Sequence, residues 1–396
     1  MDEVETGRSL DLYNTEIAFS HLSNNALVKT ARLFKLMGNP TFVNLGTKLG
    51  LLAVKMRFPL TETIIRKTIF NQFCGGENLL GCQKTIDYLY KQDTLTILDY
   101  GAEAKSSEED LDKVMRELTR AVEFAASNNS VPVVSTKLSG LADNELLTKV
   151  QDNQALNASE QRAFRKLHER VNHICARAHE LGVGIMIDAE ESWLQDTLDD
   201  LVDEMMAKYN KQRVVVYNTF QLYRHDRLAF IHESYEKARK EGYLLGAKLV
   251  RGAYMEKERE RAKEMGYPSP IQVDKEATDK DYNEAIRFCV EHYDTLASCN
   301  ACHNIKSNEI QAELILSKNI QRNHPHLNFC QLYGMSDYIT FNLADHGFNV
   351  AKYLPYGPIR EVMPYLIRRA QENTAIRGEM SRELEFLERE IERRKL

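Results

Sequence analysis

Eight short runs of apolar and β-branched residues, each ending in polar or glycine-rich sequence, constrain this chain more than any other feature. In order they are TLTILDYG (94–101), VPVVSTKLS (131–139), GVGIMIDAE (182–190), RVVVYNTF (213–220), LLGAKLVRGAY (244–254), TLASCNACHN (295–304), LNFCQLYGM (327–335) and NVAKYLPYG (349–357). Such runs predict strands. The segments between them, among them SEEDLDKVMRELTRAVEFAASNN and DRLAFIHESYEKARKEG, repeat apolar residues every three or four positions and stop at Asn or Gly, which predicts helices. Strand and helix in alternation imply a parallel sheet with right-handed crossovers. Eight repeats predict an α/β chain closed into a (β/α)8 TIM-type barrel, with an open doubly wound sheet as the alternative.

Around this barrel, expected over 93–380, residues 1–92 read as an N-terminal helical arm carrying NALVKTARLFKLMGN, ETIIRKTIFNQF and LLGCQKTIDYLYKQD. Residues 381–396 read as a charged C-terminal helix. Its Leu384, Leu387, Ile391 seam is thin, so a solvated helix end is expected. With 43% hydrophobic and 28% charged residues, the 396-residue chain can fill a sizeable core. A net charge of −6 gives it no general attraction for nucleic acid. The seven scattered cysteines have no secretory signal beside them, and reduced thiols are expected. The acidic start MDEVETGRSLDL resembles neither a signal peptide nor a presequence, and FVNLGTKLGLLAVKMRF is interrupted by three cations. A cytoplasmic protein is expected, with peripheral contact at the inner face of a membrane left open.

In a barrel the strand C-termini share one face, where such enzymes place their sites. Here that face collects Asp99, Lys137, Asp188, Glu190, Asn218, Gln221, Arg251, Tyr254, His303, Asn304, Gln331 and Tyr353. Any one of these could simply be polar where a strand meets water; their recurrence around the ring points to a site. After the eighth strand, Gly357 and Pro358 open a helix that Pro364 should break or kink. On it Tyr365, Arg368, Arg369 and Glu372 share one side, while Met363, Leu366, Ile367 and Ala370 share another. The bland reading is a solvent-facing side with Arg368 and Glu372 as a surface pair. Its position over the barrel mouth favours the alternative, a clamp for a small anion, because guanidinium forks match carboxylate or phosphate. CNAC (299–302) has no second cysteine or histidine pair to complete a zinc site, and it alternates along a strand; packing is expected, and no metal. FCGGEN (73–78) follows a helix and reads as a turn or a lid at the mouth. Lys137 could form a Schiff base, as in a lyase, or pair with Asp188 and position a substrate.

Several of these stretches together resemble the proline dehydrogenase family: FCGGE, ILDYGAEA, TKLS, MIDAE, GAKLVRGAY, ACHN, QLYGM and YLPYGPIREVMPYLIRRAQEN. The resemblance runs from residue 73 onward. It implies a distorted (β/α)8 barrel with FAD across its mouth, oxidation of L-proline to Δ1-pyrroline-5-carboxylate by hydride transfer to the flavin, and a membrane quinone as final acceptor. It also implies roles. Arg368 and Arg369 would clamp the carboxylate with Glu372 behind them, Lys137 and Asp188 would pair beside the substrate, and Tyr254, Tyr353 and Tyr365 would wall the pyrrolidine ring. Ile187, Gln221, Lys248, Arg251, Gly252, Ala253, Cys302, His303 and Glu372 fall at positions expected to touch the flavin, Lys248 near its N5. Bacterial members commonly have Arg at the Lys248 position, and lysine keeps the charge but loses the fork. A sister group that oxidises hydroxyproline tends to have a small residue where Tyr353 stands, so proline is the expected substrate and hydroxyproline the alternative.

Overall fold

The structure is a computed structural model that describes residues 10–39, 43, 46, 61–101, 107–375 and 379–396, with side chains of 370–381 excepted. All eight predicted strands form: β1 (Leu95–Tyr100), β2 (Val133–Thr136), β3 (Gly184–Ile187), β4 (Val216–Gln221), β5 (Leu245–Val250), β6 (Leu296–Ala301), β7 (Leu327–Leu332) and β8 (Val350–Tyr356). Every neighbouring pair is parallel and β8 closes on β1, with Ile97 opposite Tyr353 and Leu98 opposite Leu354. The chain is therefore a closed (β/α)8 barrel, and the doubly wound alternative is excluded.

Side-chain alternation along the strands divides inside from outside. Ile97, Met186, Tyr217, Cys299, Cys330 and Tyr353 fill the barrel as one buried cluster, whereas residues such as Leu98, Val134, Ile185, Leu249 and Leu354 pack outward under the helices. The CNAC segment thus does pack, with Cys299 inside the barrel. All seven cysteines are buried free thiols. Helix ends follow local rules: Asn157 and Glu160 form a capping box at the start of Ala158–Leu181, and Gly182 ends it at φ 78°.

Two accessory segments frame the barrel, the first as its sequence suggests and the second not. The FCGGEN turn attaches to the end of β8, where Gly75 N–H donates to Pro355 O at 2.8 Å and Gly357 N–H donates to Gly76 O at 3.1 Å. A Cβ on Gly76 would fall 2.6 Å from the backbone of Gly81, so the turn requires glycine there. The C-terminal helix Glu379–Arg393 is not a solvated end. Phe386 and Leu387 are buried, Phe386 stacks on Tyr338 at 4.2 Å, and Arg394 donates to Phe19 O and Leu22 O at 2.7 Å each. A thin apolar seam sufficed because Glu390, also buried, accepts from both Arg393 and Arg394 and so satisfies the charges around it. Most of FVNLGTKLGLLAVKMRF lies outside the described residues; among those described, no helix is long and apolar enough to cross a membrane.

Candidate active site

β3 delivers Asp188 to the barrel mouth, where its N–H donates to Thr136 O at 2.8 Å. Its carboxylate gathers four side chains from three other strands. Oδ1 accepts from Lys248 Nζ at 2.6 Å and Ser135 Oγ at 2.9 Å; Oδ2 accepts from Tyr353 OH at 2.7 Å and Lys137 Nζ at 3.3 Å. The Lys248 ammonium also lies 4.5 Å from the centroid of the Tyr353 ring. Burial opposes ionisation of Asp188, yet Lys248 and then Lys137 hold its carboxyl well below the usual range. Asp99 on β1, more deeply buried, goes the other way: burial raises it, Asp188 adds repulsion, and Lys137 only partly offsets them. Two carboxyls sharing two lysines are thereby driven apart, one a fixed anion and one inclined to keep its proton.

The β4 to β6 side of the mouth is built differently. Gln221 is buried and donates to Glu190 O at 2.7 Å, and Ile187 O accepts from Thr219 Oγ1 at 2.7 Å, so both predicted positions are locked into the rim. Arg251 donates through Nε to Asp279 at 2.8 Å and through one Nη to Ser307 Oγ at 3.0 Å, while its Nη1 is buried without a hydrogen-bond partner. Gly252 follows at φ 138°; a Cβ there would lie 2.4 Å from the Tyr223 ring. Gly252 and Ala253 are exposed, which leaves their backbone open at the mouth. Cys302 is buried and turns its thiol inward to Asn300 Oδ1 at 3.1 Å. His303 shares a hydrogen bond between Nδ1 and Ser336 Oγ at 2.8 Å. Burial, with Lys352, Arg369 and Arg251 adding, pushes its imidazole down to about 3, so it is neutral.

Gly357, at φ 145°, turns the chain from β8 into the helix Ile359–Ala375, which runs continuously through Pro364. Pro358 O accepts from Glu361 and Val362 N–H, placing proline where its missing donor is not needed. Tyr365 is buried, and the Arg369 guanidinium lies 5.4 Å from its ring centroid. The helix reaches both sides of the mouth: the charge of Arg369 is felt at His303, and that of Arg368 at Tyr254. Tyr254 is raised by its burial, and it also senses Lys137, Glu190 and Glu191, which sets it beside the β2 and β3 ends. The side chain of Glu372 lies outside the described residues.

Sequence reasoning passed over Ser135 and gave Glu190 no role. Ser135 is an inward residue in VVST, legible only once the register is known. Glu190 is buried and accepts from Ser139 N–H at 2.9 Å, bracing the turn Leu138–Gly140 that follows Lys137. Burial pushes its carboxyl up to about 7 against the Ser139 hydrogen bonds and Lys137. Its position two residues after Asp188 was the available signal. Among the described residues no group of His, Cys, Asp or Glu could hold a metal ion.

A closed parallel barrel with an ionic cluster at its C-terminal face, crossed by a helix bearing paired arginines, defines a (β/α)8 barrel enzyme. A sequence profile described as proline dehydrogenase matches residues 82–382, and the chain belongs to the proline dehydrogenase family of oxidoreductases. The carbapenem antibiotics biosynthesis protein CarD of Pectobacterium carotovorum subsp. carotovorum is 31% identical over 371 residues, covering 93% of this chain and 96% of that protein. Mitochondrial proline dehydrogenase 1 of Dictyostelium discoideum is 31% identical over 397 residues, covering 89% and 68%. In fold, the chain is similar to proline utilization A from Bdellovibrio bacteriovorus inactivated by N-propargylglycine, with TM-score 0.71 at 19% identity over 94% of this chain. It spans about 40% of the length of that structure.

Proposed function

We propose that this chain oxidises L-proline to Δ1-pyrroline-5-carboxylate with FAD as hydride acceptor and a quinone as the final acceptor. The observation that carries this reading is the meeting of Lys137, Asp188, Lys248 and Tyr353 beneath a helix that presents Tyr365, Arg368 and Arg369. The residues at the mouth also fit a flavin. Arg251 keeps a buried N–H with no partner among the described residues, Gly252 and Ala253 expose backbone beside it, and neutral His303 completes an edge suited to an anionic, planar group. FAD bound there would supply the two-electron chemistry, held by Ile187, Gln221, Lys248, Arg251, Gly252, Ala253, Cys302, His303 and Glu372.

For the chain's own residues, the roles follow from charge and shape. Arg368 and Arg369 would hold the proline carboxylate, which fixes the ring over the site. Tyr254, Tyr353 and Tyr365 would pack on the ring and exclude water from the carbon next to nitrogen. Asp188 pairs with both Lys137 and Lys248, so that carboxylate works as a scaffold. The same ion pair disfavours the Schiff-base lyase, which needs Lys137 as a free amine. Tyr353 OH is tied to both Asp188 and Ser135, and its fixed ring leaves little room for a ring hydroxyl, which favours proline over hydroxyproline.

Anaerobic titration of the flavin-loaded protein with L-proline, recorded through the visible spectrum, tests the reading. Bleaching of the flavin band is expected. A protein that cannot take up FAD, or whose flavin stays oxidised under excess proline, would overturn it.

A further inference from the structure

We propose that Glu383, eighty residues beyond His303 and on the C-terminal helix, is a positioning residue that acts through Ser336 to hold the His303 imidazole at the barrel mouth. The inference rests on the proposed flavin site for its functional meaning, but its geometry stands in the chain itself.

Glu383 is buried and its Oε2 accepts from Ser336 N–H at 2.7 Å. Ser336 sits at φ 53°, a left-handed conformation that a residue other than glycine adopts only when its surroundings hold it. It begins the helix Asp337–Asp345, and no side chain of its own caps that start. The carboxyl of Glu383 supplies the missing acceptor from outside the helix. With its backbone pinned in this way, the Ser336 hydroxyl is directed at His303 Nδ1, 2.8 Å away. Occupation of Nδ1 leaves Nε2 as the nitrogen available to a ligand.

The brace is itself anchored. Lys352, buried on β8, pairs with Asp337 at 2.7 Å and donates to Met335 O at 2.5 Å, fixing the residues on either side of Ser336. Phe386, one turn past Glu383, stacks on Tyr338, and Arg394 reaches back to the N-terminal arm. The segment beyond the arginine helix therefore belongs to the wall of the site, through one carboxyl. Burial and the neighbouring Asp337 push that carboxyl up to about 8, with Lys352 opposing, so a neutral glutamine resembles the form present at pH 7.

Protein labelled with 15N-histidine provides a readout independent of flavin. In the flavin-free protein, Ser336→Ala and Glu383→Ala should both shift the His303 ring nitrogen resonances, and Glu383→Gln should restore them toward wild type. FAD affinity should fall about tenfold in Ser336→Ala and Glu383→Ala, the loss of one hydrogen bond. Ser336→Ala keeps the backbone contact to Glu383, so its melting temperature should fall less than that of Glu383→Ala. If Ser336→Ala leaves the His303 resonances unchanged, the brace is only structural and the proposal fails, whatever Glu383→Ala does to stability. Failure of wild type to bind FAD would refute the proposed function while leaving the resonance test intact.

Discussion

At the scale of single residues, the site depends on charges held at fixed distances. Arg369→Met should weaken L-proline binding by about 2–4 kcal/mol, since a carboxylate enclosed without its guanidinium loses a charge-assisted pair. The measurement is the proline dissociation constant, with flavin content unchanged; wild-type affinity would remove Arg369 from the clamp. Tyr353→Ser should shift the ratio of kcat/KM values toward hydroxyproline, because it opens space and also releases Asp188 from its shortest neutral donor. An unchanged ratio would reduce Tyr353 to barrel packing. These residues were legible in the sequence because a strand end in a barrel has a known address. Ser135 and Glu190 were not given roles, since their partners, Asp188 and Ser139, come from a different strand and a different loop.

At the scale of elements, glycines and the terminal helix decide how the mouth is framed. Gly252→Ala would force a Cβ into the Tyr223 ring at a backbone angle alanine avoids, so the β5 loop should shift. The expected result is poor FAD retention with little loss of helix content, read by absorbance and circular dichroism on the same sample. The helix Glu379–Arg393 illustrates the other failure of sequence reading. Its three-residue seam and dense charge matched a solvated end, yet Phe386 is 2% exposed against Tyr338. Phe386→Ala should cost about 3–5 kcal/mol as a core truncation and should loosen the arm with it. Urea unfolding gives the loss; a change below 1 kcal/mol, within the range of a surface substitution, would contradict the docked helix.

At the scale of the whole molecule, buried carboxyls couple stability to pH. Glu190 is raised by burial from an ordinary 4.5 to about 7. A raised carboxyl contributes fully below the unfolded value and loses that contribution as pH rises through the folded one. Between about pH 4.5 and 7 the contribution should decline by on the order of 3 kcal/mol. Glu190→Gln cannot titrate, so the gap between its unfolding free energy and that of wild type should change with pH in this window. A constant gap between pH 5 and 8 would show that Glu190 is ionised throughout. Asp188, held below its ordinary range, behaves in the opposite sense: its contribution is present at neutral pH and is lost only as the solution becomes acid.

The sequence by itself determined the eight strands, their parallel pairing and the face on which polar residues collect, while closure of β8 on β1, which excludes an open sheet, came from the structure. The first three follow from periodicity, because period-two and period-3.6 patterns are written locally and right-handed crossovers leave few topologies. It also brought the arginine pair to the mouth, since β8 ends there. Only the tertiary structure decided which of those polar residues touch. Asp188 rather than Asp99 holds the two lysines, Cys302 turns its thiol away, and Glu383 reaches the backbone of Ser336 from the C-terminal helix. Such pairings depend on strand register and on docking between distant elements, where displacements of an ångström separate an ion pair from two unrelated charges.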